Sequence, residues 1–210
     1  MFVELSHEIV AGMLTRADVP SPHLTVAVPR AGTGASFEIE SLTLVGNTGT
    51  YLDAPYHHHA DRADLAGLPL ERLLSVPIAV VRAVGLEAVT AAHLGEPDRL
   101  WGHAVLVHTG WARHWGTPRY LNLDCPHLTT SAADALVDAN VALVGIDSAY
   151  LDDPADPARA VHARLLGADI PIIENLTNLD AVPDTGSRLT ALPAPVRAMA
   201  SFPVRAVAVV

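Results

Sequence analysis

The feature that most limits the fold is a set of short, strongly apolar runs. They cover residues 78–84, 104–108, 141–146, 170–174 and 204–209. Runs of this length are too short for helices, and they do not alternate with polar residues. That combination identifies strands with both faces buried. Residues 37–45 alternate enough to form a sixth strand. Helical patterning is sparser. Thr130 or Ser131 caps a helix running through Ala139, with Ala132, Ala133, Leu136 and Val137 on one face. Thr90 caps a short helix ending near Leu94, and a third helix covers residues 158–166. Strands and helices interleave, which places the chain in the α/β class with a mixed sheet. No repeat, low-complexity tract or Gly/Ser linker interrupts it, so residues 1–210 are expected to form one domain.

Composition removes several function classes. The net charge is −10, and nucleic-acid backbones demand clustered Lys and Arg. Half the residues are hydrophobic, yet no run approaches the roughly 18 apolar residues of a membrane span. Arg82 breaks into one of the longest apolar stretches. The opening residues carry Glu4, His7 and Glu8, without a basic start or cleavage site, so no signal peptide is expected. The single cysteine, Cys125, cannot form an internal disulfide, which points to the cytoplasm. The surplus of apolar residues is expected to be covered by a partner subunit.

The densest polar segment is Gly46-Asn47-Thr48-Gly49-Thr50-Tyr51-Leu52-Asp53-Ala54-Pro55-Tyr56-His57-His58-His59. In extended backbone, side chains repeat every second residue, which puts Asn47, Tyr51, Asp53 and His57 roughly on one side. A carboxylate and an imidazole four residues apart are able to share a metal or a proton. An ordinary polar turn with surface histidines is the competing reading. A second segment carries His162 and then Glu174, at the end of a strongly apolar stretch. A carboxylate buried there needs a cation or hydrogen-bond donors. The two polar loops at 110–129 and 148–156 are long enough to carry function.

Together these segments resemble the cyclase family of kynurenine formamidase-like metal-dependent hydrolases. The family signature His-x-Gly-Thr-His-x-Asp-x-Pro-x-His is matched at Gly49, Thr50, Asp53, Pro55 and His57. The later block is matched by His162 and by residues 172–179. The openings Glu4-Leu5-Ser6-His7, Thr109-Gly110-Trp111, Gly145-Ile146-Asp147 and residues 203–208 also fit. The resemblance implies a swivelling β/β/α fold, with a mixed sheet or partial barrel flanked by helices. It implies hydrolysis of amides, lactams or related bonds with zinc or manganese, and assembly as dimers or tetramers. In two-metal members the positions of Asp53 and Glu174 bridge both ions, that of His162 binds one, and that of His57 moves protons.

Two family histidines are replaced, by Asn47 and Tyr51. Neither is a good zinc ligand, since an amide oxygen is weak and a phenol keeps its proton near neutral pH. What remains is Asp53, His162 and Glu174, a set suited to one divalent metal, zinc or manganese, rather than two. The expected function is hydrolysis of a small-molecule amide, lactam or ester by metal-activated water, with His57 as proton shuttle. Asn47 and Tyr51 are then expected to line the substrate pocket. One alternative keeps the pocket but not the metal, with Asp53, His57, Glu174 and Tyr51 as acid–base groups of a lyase, isomerase or cyclase. Another is a non-catalytic ligand-binding protein.

Other candidates are weaker. Gly32-Thr33-Gly34 is not a dinucleotide fingerprint, and there is no Gly-x-Ser-x-Gly elbow. Cys125 beside His127 is expected to be incidental, and His103, His108 and His114 to be packing or surface residues. Trp111 and Trp115 fit either a pocket wall or the core. The loop from Leu14 to Pro20 lacks the tryptophan that lines the pocket of the family's aryl-formamide enzymes, so that aryl-amide specificity is not expected.

Overall fold

A computed structural model describes residues 1–16, 19–30, 34 and 36–210. Gly32 and Thr33, and the middle of the 14–20 loop, lie outside the described residues. The strands are β1 (Phe2–Glu4), β2 (His23–Val28), β3 (Ile39–Thr43), β4 (Tyr51–Asp53), β5 (Val76–Arg82), β6 (Ala88–Val89) and β7 (Ala104–His108). They continue with β8 (His127–Leu128), β9 (Leu143–Ile146), β10 (Ile172–Glu174), β11 (Arg188–Leu192), β12 (Ser201–Pro203) and β13 (Arg205–Val209). The two α-helices are α1 (Thr130–Asp138) and α2 (Ala160–Leu166).

Nine strands form one mixed sheet in the order β1-β13-β11-β5-β7-β9-β10-β4-β12. Its middle, β5-β7-β9-β10, is parallel, and four of the five apolar runs mark these strands; the fifth marks β13, which is antiparallel and alternates between buried and more exposed residues. The outer strands are antiparallel. Only Val204 separates β12, at one end of that order, from β13, near the other. Val204 continues the ladder by donating to Thr50 at 3.0 Å, and Ala206 accepts from Leu5 at 2.8 Å. A single extended segment therefore serves both ends of the sheet, which forces the sheet to curl into a half-barrel.

The curl creates two cores. Leu52, Ile78, Leu106, Leu143, Ile173 and Leu189 fill the inside. Ala79, Val81, Val105, Val107, Val144 and Ile146 point outward and pack under the helices, against Leu136, Leu165 and Leu166. Successive strand residues thus serve opposite cores, which is why the central strands read as strongly apolar runs. Each fully buried Leu or Ile contributes about 1.5–3 kcal/mol.

The predicted fold class, α/β with a partial barrel, matches this architecture. Local details differ. The cap of α1 is Thr129, whose side chain accepts from the Ala132 amide, one residue before the expected cap. Thr90 caps a 3-10 turn, not an α-helix, and shares a reciprocal cap with His93. The third helix begins at Ala160 rather than 158, after Arg159 in left-handed backbone. Strands β1, β2, β4, β6, β8, β11 and β12 were not expected; five of them are only two or three residues long and leave little periodicity to read.

Candidate metal centre and cavity

Asp53 ends β4, which is sandwiched between β10 and β12. The register sets Tyr51 opposite Glu174 and Asp53 opposite Ser201. Side chains of directly opposed residues meet on one face of a sheet. Accordingly the Tyr51 hydroxyl donates a short hydrogen bond to Glu174 Oε2, and the Ser201 hydroxyl donates one to Asp53 Oδ1. Asn47 Nδ2 lies 3.4 Å from the same Oδ1. Asn47 arrives there because residue 46 is glycine: a Cβ at that position would sit 2.3 Å from the Ser201 carbonyl oxygen. Four residues that the motif spacing put on one side do converge, although residues 55–57 form a 3-10 turn rather than continuing the strand.

His162 enters from the first turn of α2 and is fully buried. Its Nδ1 makes a short hydrogen bond to Asp152. Asp152 Oδ1 also accepts from the backbone amides of Val161 at 2.6 Å and His162 at 3.3 Å. The carboxylate thereby fixes the ring and sends Nε2 inward, the arrangement in which a carboxylate orients a metal-ligating histidine. Nε2 faces Asp53 Oδ2 at 3.4 Å and Glu174 Oε1 at 3.8 Å. Leu151 N donates to Glu174 Oε1 at 2.7 Å. The last-mentioned groups come from the long loop at 148–156.

These contacts set the protonation states. Burial, then the charges of Glu174 and Asp53, push the Tyr51 phenol well above its ordinary value, so it stays a donor. Burial alone would raise Asp53, but the His162 ring, the charge of His57 and the Ser201 hydroxyl outweigh it and hold the carboxyl below its usual range. Burial would lower His162, but its bond to Asp152 and the facing Asp53 carboxylate raise it to about 9. A cation binding Nε2 must therefore displace a proton. Arg159 Nη2, 2.9 Å from that nitrogen, must also give up its contact.

The residues fit one divalent cation. Asp53, His162 and Glu174 each offer a ligand atom, and these atoms lie within 4.8 Å of one another. Asp53 Oδ2 is buried without a hydrogen-bond partner, a costly state that a cation relieves. Three buried carboxylates, of Asp53, Asp152 and Glu174, are balanced by one divalent ion and the Arg159 guanidinium; a second ion would leave excess positive charge. The oxygens turned away from His162 are already capped, Asp53 Oδ1 by Ser201 and Asn47, and Glu174 Oε2 by Tyr51.

In front of this cluster opens a cavity of about 270 Å³, lined by Asn47, Tyr51, His57, Arg159, Asn175, Trp115 and Tyr120. His57 Nδ1 lies 3.3 Å from Ser201 Oγ and 3.9 Å from Asp53 Oδ1, while the ring borders the cavity. The other members of the triplet differ: His58 stacks 5.9 Å from the His162 ring, and His59 bonds the Ala163 carbonyl at 3.0 Å. Trp115 joins the wall and stacks on His7 at 3.9 Å, whereas Trp111 is core, donating to Tyr120 O. Cys125 is buried, and burial followed by the charges of Glu174 and Asp124 pushes its thiol up to about 12. His103, His108 and His114 lie outside the cavity wall.

The sequence reading missed Asp152, Ser201, Arg159 and Asn175. Asn175 follows Glu174 in left-handed backbone at φ 62°, bonds Gly49 O through Nδ2, and accepts from the Tyr120 hydroxyl. Asparagine tolerates that conformation, so its place in the late block was an available signal. Asp152, in a long acidic loop just before His162, was another. Ser201 and Arg159 leave no such trace.

Comparison with known proteins gives a consistent picture. The family model described as "Putative cyclase" matches residues 3–153. Kynurenine formamidase of Delftia acidovorans is 28% identical over 177 residues, covering 84% of this chain and 82% of that protein. Isatin hydrolase A of Labrenzia aggregata, solved with benzyl benzoate, superposes with a TM-score of 0.87 at 21% identity, over 99% of this chain and 93% of that one. A solved "potential metal-dependent hydrolase with cyclase activity" gives 0.80 at 23% identity, over 99% and 96%.

Proposed function

The chain belongs to the cyclase family, and on that premise we propose that it is a metal-dependent hydrolase of small amides or lactams, with esters as further substrates. The observation that carries this reading is the buried convergence of Asp53, His162 and Glu174, with Asp53 Oδ2 unpaired, directly behind a substrate-sized cavity. The names of the relatives, a formamidase and an isatin hydrolase, support C–N cleavage.

Asp53, His162 and Glu174 would hold one zinc or manganese ion; their two oxygens and one nitrogen suit either. Bound there, the ion supplies polarisation of the scissile carbonyl and acidifies water. Asp152 keeps His162 in the tautomer that presents Nε2. Ser201 engages His57 Nδ1, which leaves Nε2 of His57 to take a proton from the attacking water and return it to the leaving nitrogen. The C–N bond breaks, a C–O bond to water forms, and the proton ends on the amine. Asn47 and Tyr51 act as donors that hold the carboxylates in place.

We also propose a homo-oligomer. The β2–β3 ribbon exposes Leu24, Val26, Ile39 and Leu42, and a two-stranded ribbon is marginal without a partner surface. The single buried cysteine accords with a cytoplasmic setting. No helix among the described residues is long and apolar enough to cross a membrane.

The test is elemental analysis of untagged protein, paired with hydrolysis of an amide panel by wild type and His57→Ala. About one zinc or manganese per chain, chelator-sensitive turnover and an inactive but folded variant are expected. Turnover that persists after complete metal removal would transfer the chemistry to a metal-independent acid–base mechanism.

A further inference from the structure

We infer that Arg159 reads a carboxylate, so that the substrate is an amide or lactam bearing a negatively charged group. This rests on the hydrolase reading and narrows its substrate class. The charged side chains in the described cavity wall are Arg16, Arg159 and titratable His57; no Asp or Glu is among them. Arg16 also faces the Tyr150 ring, 5.8 Å from its centroid, so Arg159 carries the argument.

Among the described residues, the Arg159 guanidinium lies against the His162 ring nitrogens, at 2.9 and 3.4 Å, but Nδ1 donates to Asp152 and so cannot accept from it. Asp152, 3.9 Å from Nε, does not use it up, because that carboxylate already accepts from the His162 ring and two backbone amides. When Nε2 of His162 is taken by a cation, the guanidinium keeps its charge and its planar fork of donors, and the space beside it is the cavity. A carboxylate is the group that fork matches in pairs of parallel bonds. The backbone holds Arg159 there: it stands in left-handed conformation at φ 48°, in a turn where Asp156 accepts from the amides of Ala158 and Ala160 at 2.9 and 3.3 Å. A left-handed non-glycine residue is uncommon and concentrates at functional sites. The same cavity is also lined by Leu14, Trp115, Tyr120 and Leu121, which offer apolar and aromatic surface for the remainder of such a molecule.

The test titrates zinc-loaded protein with benzoate and with benzamide, which match in shape but differ in charge, for wild type and Arg159→Met, with zinc content measured in each. Wild type should prefer benzoate by about ten-fold or more, and the variant should lose the preference at unchanged zinc content. Equal affinity for both probes in wild type, or a preference that survives in Arg159→Met, would overturn the inference; the latter outcome would assign the carboxylate to the metal ion. Arg159→Gln gives the same test if the Met variant does not fold. The two readings fail separately. Benzoate preference without amide turnover would sink the hydrolase and leave the anion site, whereas chelator-sensitive turnover of neutral amides without benzoate preference would do the reverse.

Discussion

Removing one oxygen, by Tyr51→Phe, tests whether the substituted ligand position is a donor to Glu174. Tyr51 is 6% exposed and Glu174 1%, and the phenol donates to Glu174 Oε2. Phenylalanine keeps the ring and its packing, so the change isolates the hydrogen bond. It leaves a buried carboxylate oxygen without its donor, at a cost of about 1–3 kcal/mol, and toward the upper end because the acceptor is charged. For a chain of this size each kcal/mol lowers Tm by about 2–4 °C, so cation-free variant should melt about 4–10 °C below wild type. With the cation bound, the vacated oxygen turns to the ion and recovers part of the loss. By linkage, recovery of about 2 kcal/mol means roughly 30-fold tighter cation binding in the variant. Thermal unfolding with and without zinc, and a zinc titration, measure both. Equal melting of the two cation-free proteins would refute the claim that Tyr51 holds Glu174. An equal deficit with and without zinc would show that Oε2, once freed of its donor, does not turn to the ion.

Further outcomes follow from the same geometry. Asn47→His combined with Tyr51→His exchanges two donors for two ligands, so metal content should rise from about one toward two ions per chain; a ratio that stays at one defeats the capping argument. Gly46→Ala drives a Cβ to 2.3 Å from the Ser201 carbonyl, which the β12 backbone cannot accommodate without moving. A loss of about 1–3 kcal/mol in stability is expected, with weaker zinc binding because Ser201 leaves Asp53; wild-type zinc affinity would show that Ser201 is dispensable. Cys125, held up to about 12 mainly by burial, favours the folded state as a neutral thiol. That contribution is present below the ordinary thiol value and is lost as pH rises from there through the folded one. Iodoacetamide at pH 8 should therefore label it only after unfolding, and rapid labelling of the folded protein would refute the assignment.

The parts of the fold legible in the sequence are those whose signal is local. Strands β5, β7, β9 and β10 announce themselves because both faces are buried, and α1 because its apolar stripe follows helical spacing. β4 and β12 are invisible, since three residues carry no period and their existence depends on pairing, β4 with β10 and β12 with β4. The site divides the same way. Asp53, His57, His162 and Glu174 stand in recognisable spacings, but Ser201 reaches Asp53 only through the β12 register, and Arg159 reaches His162 only through a left-handed turn.

The deeper limit concerns what a substitution means. Against the family pattern, Asn47 and Tyr51 read as two lost metal ligands, a subtraction that leaves a hole. The fold gives them the opposite sense: an amide N–H and a phenol O–H occupy lone pairs of Asp53 and Glu174. Burial makes this exchange decisive. A carboxylate oxygen shut away from water needs either a cation or a donor, and a position that supplies the donor removes the demand for the cation. Of the four oxygens of Asp53 and Glu174, the one left without either is Asp53 Oδ2; it faces His162, and that is where a single ion would sit.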